Sequence, residues 1–150
     1  MRVFCLVSIG LLAAFLSGCA PVGIELGRDN PSDTFAVPLP YQEAYRRADA
    51  AMRQCEVTGL VVKSLPVSVS GNLYTDKKTG ILRVNTPRWG NDLERVEISA
   101  IDARSSSVTI TVFGKYQWDK EGIQALRKSI ETGRTVCRAP LPMTKSGNAY

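Results

Sequence analysis

The hydrophobic period changes twice along this chain of 150 residues, and the change restricts which folds the chain can adopt. Between positions 41 and 55 the apolar residues recur three and four apart, which is the spacing of one face of an α-helix. From 59 to 114 they alternate with polar residues, as in strands that bury one face. Helical spacing returns at Ile123, Leu126 and Ile130. The order predicts an α+β fold, in which two helices pack on one face of an antiparallel β-meander.

Both predicted helices have recognisable ends. The first follows Pro38-Leu39-Pro40, and the second follows Asp119, a residue that caps helix N-termini well. Trp118 and Ile123 are spaced for a hydrophobic staple, and Gly133 suits the left-handed residue that ends a helix. We interpret the apolar stripe of the first helix as core-facing rather than as a ligand groove. Its members are Tyr41, Ala44, Tyr45, Ala48, Ala51, Met52 and Cys55.

The strands are predicted from alternation and from turn residues. Val57–Val69 is β-branched but contains Pro66, so we expect an irregular or edge strand there. The polar run 75–80 is typical of a hairpin turn. The regular strands, and the hairpin strands beside that turn, are expected at Asn72–Tyr74, Ile81–Val84, Leu93–Ile101 and Ser107–Phe113.

The N-terminus resembles the export signal of bacterial lipoproteins. Met1-Arg2 is positive, and Val3–Leu16 carries no charge and is too short for a membrane-spanning helix. The next residues, Leu16-Ser17-Gly18-Cys19, resemble the lipobox of that family. The resemblance implies cleavage before Cys19 and lipidation of its thiol. By the family's sorting rule in enteric bacteria, Ala20 implies the outer membrane rather than the inner one.

Two other interpretations of the N-terminus remain open. Ordinary signal cleavage after Ala20 would leave Pro21 first, which that peptidase tolerates poorly. An uncleaved anchor would need a longer apolar stretch.

The chain therefore divides into four predicted parts. They are a signal peptide at 1–18, a flexible tether at 19–37, a globular α+β domain at 38–139 and a polar tail at 140–150. A flexible linker of that length spans about 25 Å and would hold the domain clear of the bilayer. Phe35 and Val37 are apolar, which leaves open that the end of the tether docks on the domain.

Cysteine use predicts one disulfide. Cys5 leaves with the signal and Cys19 carries lipid, so Cys55 and Cys137 are the two thiols of the exported domain. Export places them in an oxidising compartment, which favours a Cys55–Cys137 bond over two buried free thiols. A CxxC motif is absent, which argues against redox catalysis.

The composition excludes several kinds of chemistry. The chain has no His, which removes the Ser-His-Asp triad, Cys-His pairs and His-containing zinc sites. With two Cys and no His we expect no metal site and no cofactor. Lys78-Thr79-Gly80 matches a motif of penicillin-binding enzymes, but no Ser is followed by Lys three residues later, as those enzymes require. We therefore assign these three residues to the turn.

Paired carboxylates on one strand are candidates for a catalytic acid and base. Glu94 and Glu97 differ in strand parity and should face opposite sides of the sheet. Asp92 and Glu94 should share a face, but no nearby apolar pocket is evident that would raise one pKa. We therefore expect solvated strand charges and no enzymatic activity.

Charge and compartment suggest a binding role. The net charge is +5, and the signal would remove one positive residue. Export excludes nucleic acid as a partner. Basic residues cluster at Lys77-Lys78, Arg88-Trp89 and Lys115-Tyr116, and an Arg beside an aromatic residue can anchor a partner.

The region from Pro40 to Cys137 loosely resembles small proteobacterial envelope lipoproteins. The shared pattern is a helix with Tyr41 and Tyr45, then a Cys and a β-meander. The resemblance implies no activity.

We expect a non-enzymatic lipoprotein on the periplasmic face of the outer membrane that binds another envelope protein. One alternative is a binder of an anionic ligand such as lipopolysaccharide, phospholipid head groups or cell wall. Another is a small protein like the lysozyme inhibitors, whose all-β fold these helices match poorly.

Overall fold

The computed structural model describes residues 22–25, 28–57, 66–87 and 90–140. Seven regular elements lie in these ranges, and a π-helical turn, Arg53–Val57, continues directly from the first helix. In chain order they are β1 (Ser32–Val37), α1 (Tyr41–Met52), β2 (Ser68–Tyr74), β3 (Thr79–Asn85), β4 (Asp92–Ala100), β5 (Ser106–Val112) and α2 (Lys120–Thr132).

The strands form one open antiparallel sheet in the order β1-β5-β4-β3-β2. Each pair from β2 to β5 is joined in sequence, so the four strands form the predicted meander. β1 adds to its free side, where Phe35 lies opposite Val108. Both helices contact the same sheet and each other. The predicted α+β class is therefore confirmed.

The core lies between the helices and one face of the sheet. The alternation predicted for the last strand is confirmed, because Val108, Ile110 and Val112 are buried. The predicted helix stripes are buried as well, apart from Tyr45 and Cys55, which are only partly covered. Tyr45 crosses β2 and β3 where they have no side chains, since a Cβ at Gly71 or Gly80 would collide with its ring or hydroxyl.

The predicted ends of α2 are confirmed. Asp119 accepts a hydrogen bond from the Gly122 backbone N–H at 2.9 Å, as an N-cap does. Gly133 ends the helix with φ of 70°, a left-handed conformation that glycine adopts without a Cβ penalty. Trp118 and Ile123 are both buried in the core.

The predicted disulfide is confirmed. Cys55 lies in the π-helical turn after α1, and Cys137 lies in the segment after α2. Their Cα atoms are 5.3 Å apart and their sulfurs are bonded at 2.04 Å. The bond joins the two helical regions across a sequence separation of 82.

The segment predicted as a tether contains a strand. Ser32–Val37 pairs with β5 along its whole length, and Phe35 and Val37 are buried. Arg127 of α2 holds β1 from the helical side, since it pairs with Asp33 at 3.0 Å and lies over the Phe35 ring. The end of the predicted tether therefore docks on the domain, which was the alternative left open, because burial of these two side chains offsets the entropy of ordering the strand.

The strand before the hairpin turn also differs from the prediction. β2 begins at Ser68, within the Val57–Val69 segment expected to be irregular or an edge strand, and continues to Tyr74, because its polar residues pair with β3 without needing burial. Pro66 precedes the strand, where a missing N–H costs no ladder bond.

Several predicted features lie outside the described residues. They are the signal peptide at 1–18, Cys19, Arg88, Trp89, positions 58–65 and the tail from 141 onward. In the ranges that are described, no helix is long and apolar enough to cross a membrane.

The sheet has two distinct ends. At the N-terminal end, where β1 begins, Ile24 donates to the Asp92 carbonyl at 2.7 Å and Val112 donates to the Pro31 carbonyl at 3.0 Å. At the hairpin end lie the β2–β3 and β4–β5 turns. Six residues of β1 separate the two ends by about 20 Å at roughly 3.3 Å per residue.

Candidate functional site

Lys77 and Lys78 lie in the β2–β3 turn and are exposed. The sequence predicts both as candidate residues for partner contact. Lys78 has a left-handed φ of 52°, which helps to close the turn. The Lys77 Nζ lies 5.8 Å from the centre of the Tyr74 ring, a cation–π distance. The turn therefore presents two cations beside an aromatic side chain.

The β2–β3 and β4–β5 turns adjoin each other. The Ala100 N–H donates to the Lys78 carbonyl at 3.0 Å, which brings Ile101 and Arg104 to the same end of the sheet as Lys77 and Lys78. Ile101 is 59% exposed. We call this surface the hairpin patch, and it comprises Tyr74, Lys77, Lys78, Ile101 and Arg104.

The hairpin patch concentrates exposed apolar side chains. Among the described residues, four large hydrophobic side chains are exposed, and two of them, Tyr74 and Ile101, belong to the patch. Leu73 is also at this end of the sheet but lies on the opposite face from Tyr74, beside Gly80 and Tyr45. The fourth, Tyr116, lies at the N-terminal end. Isolated exposed apolar residues are ordinary, but a group with cations around it is typical of an interaction surface. The sequence identified Lys77 and Lys78 but missed Arg104 and Ile101, which only the pairing of the turns brings there.

The two other basic clusters predicted from the sequence, Lys115-Tyr116 and Arg88-Trp89, are not part of this patch. Lys115 and Tyr116 lie beyond the end of β5, about one strand length away from the hairpin turns. Arg88 and Trp89 lie outside the described residues.

Glu94 corrects the expectation that the strand carboxylates are solvated. Its side chain is 5% exposed and lies in the core with Val96 and Ile98, which share its parity on β4. Burial raises its pKa well above the ordinary value, and the charge of Glu56 raises it further. The sequence signal for the burial of Glu94 was its spacing of two and four residues from Val96 and Ile98, which places all three on the same face of the strand. Glu97, by contrast, is exposed on the other face, as predicted.

Asp92 and Glu94 do not share a face, contrary to the prediction. A register shift opposite Val84 and Asn85 inserts Leu93 into β4, so Asp92 is displaced from the regular alternation. The Asp92 carboxylate pairs with Arg95 at 2.7 Å and with Arg83 at 3.3 Å, on the face away from the helices.

The side chain of Glu56 is a second largely buried carboxyl group. It accepts hydrogen bonds from Trp118 Nε1 at 2.9 Å and Gln117 Nε2 at 3.1 Å. Burial raises the pKa of Glu56, and these two donors partly oppose that rise. The bonds tie the turn after α1 to the segment that precedes α2.

Glu56 and Glu94 line one cavity of about 20 Å³, together with both cysteines of the disulfide. That volume accommodates about one water molecule, whereas ligand sites are typically about 300–1,000 Å³. The carboxyl pair therefore has no room for a substrate such as a sugar.

A larger groove, of about 350 Å³, lies between α1 and the end of α2. Its basic lining residues are Arg46, Arg47 and Arg134. Glu43 pairs with Arg46 at 2.6 Å and with Arg47 at 2.8 Å, and these bonds lower the pKa of Glu43. Arg47 also donates to the Ile130 carbonyl at 3.0 Å. Polar contacts therefore join the two helices along the groove, and its three arginines outnumber its one carboxylate.

No protein-family model matches the chain, and no curated protein matches it. Within the described ranges, no group of three or more acidic or Cys side chains is placed to hold a metal ion.

Proposed function

We propose that this chain is a lipid-anchored lipoprotein on the periplasmic face of the bacterial outer membrane, and that its domain binds another envelope protein through the hairpin patch. The observation that carries the proposal is the separation of the two ends of the sheet. The chain enters the domain at the N-terminal end, and the hairpin patch lies at the opposite end.

The anchor part of the proposal rests on the N-terminal sequence. Leu16-Ser17-Gly18-Cys19 resembles a lipobox after an uncharged segment. The Cys55–Cys137 disulfide supports export, since such bonds persist in oxidising compartments. With Cys19 in the membrane, the hairpin patch faces away from the bilayer and towards the periplasm.

The patch composition favours a protein partner. Tyr74 and Ile101 supply apolar area, and the two turns place Lys77, Lys78 and Arg104 beside it against two carboxylates, Asp76 and Asp102, which leaves a small excess of positive charge. A partner of complementary surface presents an apolar pocket with acidic residues at its rim. The proposal assigns no catalysis, because the two buried carboxyls share a cavity of about 20 Å³.

Site-specific crosslinking in intact cells tests the partner. A photoreactive amino acid at Ile101 should give a discrete adduct with one protein. The control position is Thr34, which is exposed on the sheet face away from the helices. Lys77→Glu with Lys78→Glu should weaken the adduct, since it reverses the local charge. Equal adduct patterns at both positions would contradict the patch as a specific surface.

Palmitate labelling tests the anchor separately. Wild-type protein should carry labelled lipid and fractionate with the outer membrane, whereas Cys19→Ser should carry none. Two or more acyl chains make anchoring stable, since one chain binds only marginally. An unlabelled wild-type protein would contradict the lipoprotein proposal.

The groove between the helices favours a second candidate, an anionic envelope ligand. Its lining includes Arg46, Arg47 and Arg134 but a single carboxylate, Glu43. Titration with lipopolysaccharide at low and high salt tests this candidate, because ion-driven binding weakens steeply with ionic strength. Arg134→Ala should lower the affinity, and Lys77→Ala should leave it unchanged. Equal affinity of the Arg134→Ala variant would contradict it.

A further inference from the structure

Very little chain separates the proposed lipid anchor from the folded domain. Val22 follows Cys19 by three residues, which span about 10 Å at most. Val22 packs against the core, and the Ile24 N–H donates to the Asp92 carbonyl at 2.7 Å. Gly23 lies so close to Asn91 and Asp92 that a Cβ would collide with them. The N-terminal end of the sheet must therefore lie near any lipid that Cys19 carries.

An exposed aromatic turn projects from the same end of the sheet. Phe113 donates to the Leu93 carbonyl at 2.9 Å, beside the Asp92 carbonyl that Ile24 uses. The turn Lys115–Trp118 follows, closed by a 2.7 Å bond from the Gly114 N–H to the Trp118 carbonyl. Tyr116 is at its tip and is 43% exposed.

The turn holds Tyr116 outward at a conformational cost. Its φ is 59°, a left-handed value that is uncommon for a bulky side chain and that needs support from the surrounding structure. Gln117 and Trp118 supply that support, because both are buried and both donate to Glu56. The exposed ring is thus presented by a turn that is fixed from inside the protein.

The neighbouring cation complements the ring. Lys115 is exposed, with its Nζ 5.7 Å from the centre of the Phe113 ring. A tyrosine with a lysine beside it suits the head-group region of a bilayer, where the ring meets the acyl boundary and the hydroxyl and ammonium meet phosphate oxygens.

We propose that Tyr116 and Lys115 dock the domain on the phospholipid surface beside the Cys19 anchor, so that the domain sits on the bilayer rather than at the end of a tether. This inference rests on the lipid anchor of the proposed function. The ligand class is the phospholipid head group. Docking here also fixes the orientation that points the hairpin patch into the periplasm.

Fluorescence quenching in vesicles tests the contact. The lipidated protein is reconstituted into phosphatidylethanolamine–phosphatidylglycerol vesicles that contain a head-group nitroxide lipid. A fluorescent amino acid replaces Tyr116 in one variant and Ile101, at the opposite end, in the matched control. We expect several-fold stronger quenching at position 116. A third variant with the probe at Lys115 guards against misfolding of the strained position, and each variant is accepted only if it melts as wild type does.

Vesicle flotation separates this inference from the anchor proposal. Lipidated protein should float with the vesicles, and the Cys19→Ser variant should not. Protein that floats but shows equal quenching at the two ends, or no quenching at 116 and 115, overturns the docking inference and leaves the anchor intact. Protein that does not float overturns both.

Discussion

Glu94 and Glu56 line the same small cavity beside the Cys55–Cys137 disulfide, although one lies on a central strand and the other in the turn after α1. Burial and the charge of Glu56 raise the pKa of Glu94 well above the usual range. The folded core therefore favours the protonated form of Glu94.

Stability should fall as pH rises because of Glu94. Its raised pKa means that the folded state binds more protons than the unfolded state above about pH 4.5, so the free energy of unfolding decreases from there up to the raised pKa. Glu94→Gln should remove part of that slope and should stabilise the protein at neutral pH by about 1 kcal/mol or more. Urea unfolding at about pH 5 and about pH 8 measures both effects. Glu97→Gln is the control, since Glu97 is exposed on the same strand. An unchanged slope in Glu94→Gln would contradict this assignment.

Loss of the disulfide should destabilise the domain strongly. Cys55→Ser and Cys137→Ser should each cost about 2–5 kcal/mol, because the bond constrains a long loop of the unfolded chain. The double variant should match each single variant, since either change alone breaks the bond. Denaturant melts under non-reducing conditions measure the costs. Two free thiols in the denatured, unreduced wild-type domain would refute the bond.

Asp119 should stabilise α2 in two separable ways. Its carboxylate caps the helix at Gly122 and pairs with Arg138 at 2.6 Å, and this hydrogen bond and the Gly122 cap lower its pKa against the effect of burial. Asp119→Ala should cost about 1–2 kcal/mol. Asp119→Asn keeps a capping oxygen but loses the charge, so it should cost less. Thermal melts of both variants give the order, and an equal loss would show that the ion pair alone matters.

Tyr45 should be coupled to Gly80. A Cβ at Gly80 would lie 2.6 Å from the Tyr45 ring, so Gly80→Ala should destabilise the protein by about 1–3 kcal/mol. In a Tyr45→Ala background the same change should cost much less, because the colliding ring is gone. A double-mutant cycle by urea unfolding measures the coupling. Additive costs would show that the strain at Gly80 arises elsewhere.

The sequence by itself determined the features that depend on near neighbours. The stripe from Tyr41 to Met52, the cap at Asp119 and the alternation at Val108, Ile110 and Val112 each follow from spacing within one element. The Cys55–Cys137 pair was determined by elimination, because two cysteines remain after the predicted signal and lipid site.

Only the tertiary structure decided the features that depend on pairing between distant segments. Half of the residues in Ser32–Val37 are polar, and the segment becomes a strand because β5 offers a free edge and α2 covers Phe35. The insertion of Leu93 separates Asp92 from Glu94, and no local rule places such a bulge. Ile101 lies near Lys77 and Lys78 because the Ala100 N–H, next to the β4–β5 turn, donates a hydrogen bond to the Lys78 carbonyl in the β2–β3 turn. Local spacing specifies which face of an element is apolar. Which element packs against that face depends on contacts between distant segments, and the whole fold must offset the loop-closure entropy that these contacts cost.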